Sequence, residues 1–184
     1  MYLYLVRHGQ TNDNFNNIVQ GRIDNILNDT GRAQARETGL KLKSLNVNFD
    51  KLYYSPLKRA KESAEIINEV LNINDINEEF DLIEREFGNL EGLDVTYMRK
   101  IVLDPTFKKI GFEDDETIIN RVKKCIDKIS KTGENILIVC HSHTIKAFMS
   151  YVDNTKYNFD YPLLNAQVVK IECKNDKYRV IDII

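Results

Sequence analysis

Three short apolar runs predict buried β-strands, at residues 2–6, 51–54 and 136–140. Apolar runs of this length are typical of strands that are buried on both faces of a sheet. Helices are predicted at about 30–45, 56–71, 93–102, 115–131 and 143–152, and two later strands near 166–173 and 177–183. We therefore expect an α/β fold, a three-layer α/β/α sandwich with a mostly parallel central sheet and a short helical cap.

Turn and capping signals define some of the expected boundaries. Asp29 or Thr30 is expected to cap the first long helix, and a glycine inside it, Gly39, would cost about 1 kcal/mol unless packing requires it. Asn175 and Asp176 fit the centre of a turn between the last two strands.

Chemically active side chains follow directly after the three apolar strands. The segments are Arg7-His8-Gly9-Gln10, Ser55-Pro56-Leu57-Lys58-Arg59 and His141-Ser142-His143. Ser55 suits a helix N-cap and Pro56 a first helical turn, which would place Arg59 near the end of the second strand. Ligands in open α/β sheets collect beyond the carboxyl ends of the strands. Two guanidinium groups and two imidazoles meeting there predict a pocket for a dianionic phosphoryl group.

Further motifs lie in a fixed order along nearly the whole chain. They are Arg7-His8-Gly9-Gln10-Thr11 with Asn14; Gln20-Gly21-Arg22-Ile23-Asp24 with Leu27, Gly31 and Gln34-Ala35; Ser55-Pro56-Leu57-Lys58-Arg59-Ala60; Glu84-Arg85-Glu86-Phe87-Gly88 with Glu91-Gly92; Gly111-Phe112-Glu113 with Arg121; and His141. Together they resemble the histidine phosphatase superfamily, in the branch of phosphoglycerate mutases and α-ribazole phosphatases. The segment at 111–113 corresponds more loosely than the others.

The resemblance implies a role for each matching residue. His8 would be the nucleophile that is phosphorylated on Nε2, and Glu84 the proton donor that later acts as base on water. Further residues would bind the phosphoryl group: Arg7, Arg59 and His141, with Asn14, Gln20, Gly21 and Ser142. The resemblance implies no metal and no cofactor. Glu86 is the competitor of Glu84, and whether it shares the acid–base role stays open.

Composition fits a compact enzyme. The 184 residues predict a single domain over residues 1–184, with a small cap or insert at about 88–115. A formal net charge of −2 gives no reason to expect nucleic acid or membrane binding, so the expected partner is a small-molecule phosphate ester. Three cysteines without a close-spaced pair and no long apolar run predict a cytoplasmic location. The sequence does not decide between a monomer and a homodimer.

Each site residue also has a structural interpretation. Arg59 could be a solvated helix arginine that pairs with Glu62 or Ser63, and Glu84 could lie on the acidic surface of residues 78–84. Asn14 and Gln20 could be ordinary loop residues. His143 stands where the family usually has small residues, so it could narrow the pocket or pack below it.

Three other functions are compatible with the same residues. A metal-dependent hydrolase could use His141 and His143, whose spacing would place them on one face of a strand, together with His8. A non-catalytic sensor of phosphorylated ligands could use the same scaffold. A phosphoglycerate mutase is disfavoured by Asp94-Val95, where mutases resemble one another in having Asn-Lys, and by the missing arginine pair, for which Arg99-Lys100 would only partly substitute.

The substrate is not determined by the sequence. α-Ribazole phosphate, a sugar phosphate or a broad range of small esters would all fit. The segment after Glu84 is expected to form much of the specificity wall. It offers apolar side chains at Leu93, Val95, Tyr97, Met98, Ile101 and Phe107, and cationic ones at Arg99, Lys100, Lys108 and Lys109.

Overall fold

The structure, a computed structural model, describes residues 1–132 and 135–184, and in this part of the chain six strands form one mixed sheet. The strands are β1 (Tyr2–Arg7), β2 (Lys51–Tyr54), β3 (Asp75–Glu78), β4 (Ile136–Cys140), β5 (Val168–Lys174) and β6 (Lys177–Ile183). Their order is β3-β2-β4-β1-β5-β6. The first four in that order are parallel, and β5 and β6 pair in antiparallel fashion.

Helices cover both faces of this sheet. They are α1 (Asn12–Phe15), α2 (Asp29–Ser44), α3 (Lys58–Leu71), α4 (Val95–Ile101), α5 (Asp115–Ile129) and α6 (Ser142–Val152), with short 3₁₀ turns at Phe80–Leu82, Gly88–Leu90 and Ser130–Thr132. Alternate residues of β1 enter two separate cores: Leu3 and Leu5 pack with α5 and α6, whereas Tyr4 and Val6 pack with α2 and α3. The predicted α/β/α sandwich with a mostly parallel sheet is confirmed.

Two capping predictions were wrong. The side chain of Asn28 caps α2 by accepting from the Gly31 N–H at 2.8 Å, so neither Asp29 nor Thr30 is the cap. Ser55 does not cap α3, because that helix begins at Lys58 after an N-cap without a side-chain bond. Asp29 lies one residue inside α2 and pairs with Arg32 of the same helix, whereas the Ser55 hydroxyl is engaged by a tertiary contact with His141. The short elements α1 and β3 were not predicted from the sequence.

Gly39 is required by packing. A β-carbon at this position would lie 3.2 Å from the Cβ of Val70 on α3, so the missing side chain lets α2 and α3 pack closely. The predicted turn between β5 and β6 is confirmed, since Asn175 and Asp176 both have positive φ, at 52° and 57°. Two consecutive left-handed residues form the type I′ turn that suits a tight hairpin.

A small cap covers the carboxyl edge of the parallel strands. Its one helix, α4, has seven residues, and its apolar side chains pack in a cluster of their own around Leu90 and Phe87. Backbone bonds join this cap to the loop after α1: Val19 N donates to Leu93 O at 2.9 Å, and Val95 N donates to Asn17 O at 2.7 Å. None of the helices in the described residues has the length and apolar character needed to cross a membrane.

Candidate active site

His8 lies at the carboxyl end of β1, and its two ring nitrogens have different partners. Its backbone N–H continues the sheet by donating to Cys140 O at 2.9 Å. The ring Nδ1 lies 2.7 Å from the Gly9 carbonyl oxygen, which can only accept, so Nδ1 carries the proton. Nε2 is therefore the nitrogen without a proton, and its electron pair accepts a hydrogen bond from Arg59 Nε at 3.2 Å.

The surroundings keep the His8 ring neutral. Burial, followed by the nearby positive charges of Arg59 and Arg7, lowers the pKa of His8 well below its usual value of 6.5. A neutral imidazole with its proton fixed on Nδ1 presents an unprotonated Nε2 at neutral pH. This is the state that a nitrogen nucleophile needs.

Arg59 is completely buried and anchored by backbone oxygens. Its two terminal nitrogens donate to Gly21 O and Ile23 O, both at 2.7 Å, while Nε faces His8. Glu62, the partner proposed for a solvated Arg59, instead binds Arg32 at 2.7 Å. The structure excludes the interpretation of Arg59 as a solvated surface arginine.

Arg7 and His141 complete the group of cationic and imidazole side chains around His8. One terminal nitrogen of Arg7 donates to Leu163 O at 2.6 Å, and burial lowers the pKa of this guanidinium to about 10. His141 precedes α6, and its ring centroid lies 5.2 Å from that of His8. Its Nε2 contacts the Ser55 hydroxyl at 2.6 Å. Within the described residues, Arg7 Nε and His141 Nδ1 are buried without a partner, so each has hydrogen-bonding capacity that the protein does not use.

Glu84 is buried at the amino-terminal end of α6. Its Oε2 accepts from His143 N at 3.2 Å, and its Oε1 accepts from the backbone N–H groups of Thr144 and Arg85 at 3.2 and 2.9 Å. The carboxylate thus caps the helix that begins just after His141. This position in the pocket wall excludes the surface interpretation of Glu84.

Glu86 is in a different environment. It is half-exposed and forms an ion pair with Arg22 at 2.8 Å, in a separate surface depression. The segment that carries both glutamates is held by Arg121, which donates to Ile83 O at 3.0 Å and pairs with Glu113 at 2.8 Å. Glu113 and Arg121, which belong to the motif with the looser match to the family, therefore support the backbone next to Glu84.

The remaining predicted binding residues all line the same pocket, namely Asn14, Gln20, Gly21 and Ser142. Asn14 Oδ1 accepts from the amide of Asn165 at 3.0 Å, and the same amide donates to His8 O at 3.2 Å. Gln20 accepts from the Thr11 hydroxyl at 2.9 Å. Asn14 and Gln20 are thus fixed by side-chain bonds and are not free loop residues.

Close backbone approach holds the loop after β1 in place. A β-carbon on Gly9 would lie 2.3 Å from Gly31 O, and one on Gly31 would lie 2.1 Å from Gln10 O. The two glycines let the start of α2 press against the residues that follow His8. Gly9 is therefore required by the close contact with α2.

Comparison with known proteins agrees with this geometry. A sequence profile of the histidine phosphatase superfamily (branch 1) matches residues 3–183. The chain belongs to this superfamily. It is 36% identical over 181 residues to the uncharacterized phosphatase PhoE of Bacillus subtilis, covering 97% of this chain and 91% of that protein. It is also 28% identical to a broad-specificity phosphatase of Saccharomyces cerevisiae, covering 98% and 78% of the two chains.

A solved structure is similar over the same length. The chain superposes on a phosphoglycerate mutase from Bacillus anthracis with a TM-score of 0.85 and 26% identity, covering 98% of this chain and 91% of that one. The relatives are thus phosphatases and a phosphoglycerate mutase. This histidine phosphatase is accordingly a phosphatase or phosphotransferase.

The candidate active-site pocket of the histidine phosphatase has a volume of about 660 Å³. Of the side chains expected in the specificity wall, Val95, Met98, Arg99 and Lys109 line it, whereas Leu93, Tyr97, Lys100, Ile101, Phe107 and Lys108 do not. Leu93, Ile101 and Phe107 pack inside the cap instead. Sequence analysis missed other lining residues, among them Arg85, Lys146, Phe159, Asp160 and Asn165. Two of these had a signal: Arg85 stands between Glu84 and Glu86 in a motif that matches the family, and Lys146 lies one helical turn after Ser142.

His143 also lies in the pocket wall, between two phenylalanines. Its ring stacks on Phe159 at 5.2 Å between centroids and meets Phe87 edge-on at 5.0 Å. Because His143 is on α6 and not on a strand, the argument that it shares a strand face with His141 was wrong. In residues 1–132 and 135–184 no three His, Cys, Asp or Glu side chains are arranged to hold a metal ion.

Proposed function

We propose that this histidine phosphatase hydrolyses small phosphate monoesters through a phosphohistidine on His8, without a metal ion. The observation that carries the proposal is the state of the His8 ring. Its Nδ1 proton is engaged by the Gly9 carbonyl, and its unprotonated Nε2 faces the buried guanidinium of Arg59. This arrangement supports attack by Nε2 on a phosphoryl group whose charge the arginines neutralise.

The first displacement forms a bond from His8 Nε2 to phosphorus and breaks the bond from phosphorus to the ester oxygen. Glu84, at the wall of the same pocket, donates a proton to the departing alkoxide. Arg7 and Arg59 hold the phosphoryl oxygens, with His141 beside them. The amino-terminal end of α6 at Ser142 contributes a positive dipole on the same side.

The second displacement reverses these roles. Glu84, now a carboxylate, takes a proton from water, the water oxygen bonds to phosphorus, and the bond to His8 breaks. Inorganic phosphate leaves and the neutral imidazole returns. The positions of the two glutamates support Glu84 rather than Glu86, because Glu86 is paired with Arg22 outside the pocket.

The test uses p-nitrophenyl phosphate with and without a chelator. We expect turnover that the chelator does not reduce, complete loss of turnover in His8→Ala, and a trapped phosphoenzyme that is labile in acid and stable in alkali. Chelator-sensitive turnover would support a metal enzyme, and binding without turnover would support a sensor. Activity retained in His8→Ala would exclude the phosphohistidine mechanism.

A separate assay distinguishes hydrolysis from mutase activity. The cap contains one short helix and lacks the adjacent arginine pair of the mutases, so water is expected to reach the phosphohistidine. The enzyme is incubated with 3-phosphoglycerate and a trace of 2,3-bisphosphoglycerate, and both isomerisation and free phosphate are followed. Phosphate release that exceeds isomerisation supports the phosphatase; the opposite ratio would make this chain a mutase.

A further inference from the structure

The pocket holds more positive charge than a phosphoryl group requires. Its walls include six cationic side chains, Arg7, Arg59, Arg85, Arg99, Lys109 and Lys146, and three carboxylates, Glu84, Asp115 and Asp160. The proposed chemistry uses two of the arginines and Glu84, and Asp115 is bonded to Arg85. Three cations, Arg99, Lys109 and Lys146, then face a single carboxylate, Asp160. Arg99 and Lys109 belong to the cap and Lys146 to α6, and in-line attack by His8 directs the leaving alcohol away from His8, toward the rest of the pocket.

Lys146 is the most informative of these cations because it is the least solvated. It lies on α6, and its Nζ donates to the carbonyl oxygen of Phe159 at 3.0 Å rather than to a carboxylate. Burial, followed by the positive charge of Arg7, lowers the pKa of Lys146 to about 8, against the opposing effect of Glu84 and Asp160. A partly buried ammonium among like charges is costly unless an anion joins it.

The neighbouring wall has further unused bonding capacity. Among the described residues, Arg85 Nε and His143 Nδ1 are buried without partners. Both side chains contact the same ring: the Arg85 guanidinium lies 4.0 Å from the Phe159 centroid, and His143 stacks on that ring. Buried polar atoms in native proteins normally have hydrogen-bond partners. Two unpaired nitrogens beside Phe159, whose carbonyl accepts from Lys146, therefore indicate a polar ligand at this corner of the pocket, which Arg85, His143, Lys146 and Phe159 form.

The corner is adjacent to the phosphoryl position but distinct from it. Ser142, at the phosphoryl position, precedes Lys146 by four residues, a rise of about 6 Å along the helix. Helical side chains lean toward the amino terminus, so the long Lys146 side chain reaches back to the pocket. We infer that the preferred substrates carry a second acidic group on the leaving alcohol, a carboxylate or a second phosphate, which Lys146 binds together with Arg99. The inference rests on the proposed phosphatase function.

The experiment compares matched esters that differ in the acidic group. One pair is 3-phosphoglycerate and glycerol 3-phosphate; the other is fructose 1,6-bisphosphate and fructose 6-phosphate. The wild-type enzyme is expected to favour the acidic member of at least one pair about tenfold in kcat/KM, as for one hydrogen bond to a charged group. In Lys146→Met this preference is lost, mainly through a higher KM. The control Lys100→Met, at an exposed residue next to Arg99 that does not line the pocket, keeps the wild-type preference.

Each outcome decides the inference. Dependence on Lys146 in the first pair identifies a carboxylate site, and dependence in the second pair a site for a second phosphate. Equal kcat/KM within both pairs for the wild type overturns the inference. The inference is also overturned if Lys146→Met loses kcat/KM equally on both members of a pair and is inhibited less by inorganic phosphate, because Lys146 would then bind the reacting phosphoryl group. Arg99→Met, at an exposed position, gives a second readout if Lys146→Met fails to fold. If the wild type hydrolyses no ester, including p-nitrophenyl phosphate, the proposed function itself fails.

Discussion

Arg59 donates its Nε–H to Nε2 of His8 across 3.2 Å, and its other two nitrogens are fixed on the Gly21 and Ile23 carbonyls. The protein therefore holds the guanidinium next to the nitrogen that the phosphoryl group must reach. These three bonds use three of the five N–H groups of the guanidinium, so two N–H groups remain to bind phosphoryl oxygens. A single ammonium group cannot reproduce that geometry.

We predict that Arg59→Lys lowers kcat/KM by about 10²–10³-fold for every leaving group, because it removes a preorganised donor to the phosphoryl oxygens. Competitive inhibition by vanadate should weaken in parallel. Steady-state assays with p-nitrophenyl phosphate and an alkyl phosphate measure both effects. Arg36→Lys, at an exposed arginine of α2, is the matched control. A loss confined to one class of leaving group would contradict the assignment.

Glu84→Gln is predicted to separate proton transfer from phosphate binding. Without a proton donor, alkyl phosphates should slow by about 10²–10⁴-fold, whereas p-nitrophenyl phosphate should slow much less because its phenolate leaves unaided. The measurement is kcat for a series of esters ordered by the pKa of the leaving alcohol. Glu86→Gln is the control, since Glu86 lies outside the pocket. Equal losses across the series in Glu84→Gln would show that this residue does not donate the proton.

Stability should fall steeply below pH 6.5. The chain has three histidines, and burial is the first cause that lowers the pKa of each one, His8, His141 and His143, well below 6.5. The unfolded chain then binds up to three protons that the folded chain does not, so stability is lost as pH falls. The slope should approach about 4 kcal/mol per pH unit, at about 1.4 for each histidine.

Urea unfolding at pH 7.5, 6.5 and 5.5 measures this slope. Few carboxylates titrate in that interval, so the histidines dominate it. His143→Asn removes one of the three groups and should lower the slope by about a third. A free energy of unfolding that stays constant from pH 7.5 to 5.5 would contradict the buried, neutral state of the rings.

Gly31→Ala is predicted to destabilise the protein and to reduce activity together. The new β-carbon would lie 2.1 Å from Gln10 O, a backbone atom two residues after His8. Forced overpacking of this kind typically costs about 1–3 kcal/mol, and here it displaces the loop that orients the nucleophile. Thermal unfolding and turnover of p-nitrophenyl phosphate check both effects. Lys41→Ala, at an exposed position of the same helix, should change neither.

The sequence pattern was sufficient for five of the six strands, but not for β3 or for the ends of the helices. The runs that became β1 and β4 are continuous in apolar residues because these strands are buried by helices on both faces. Capping depends on which polar side chain remains free after folding. Ser55 fits the local signal for an N-cap, yet its hydroxyl contacts His141, 86 residues away.

The sequence by itself determined the family, the fold class and the group of side chains around His8, because motifs at strand ends converge wherever parallel strands share an edge. Tertiary structure decided which residues form the specificity wall. Lys100 and Lys108 resemble Arg99 and Lys109 in sequence, but only the latter two line the pocket, since the path of the cap sets their direction. Phe159 and Asn165 come from a loop after α6 without any local signal. They reach the site because the chain folds back past His8 before entering β5.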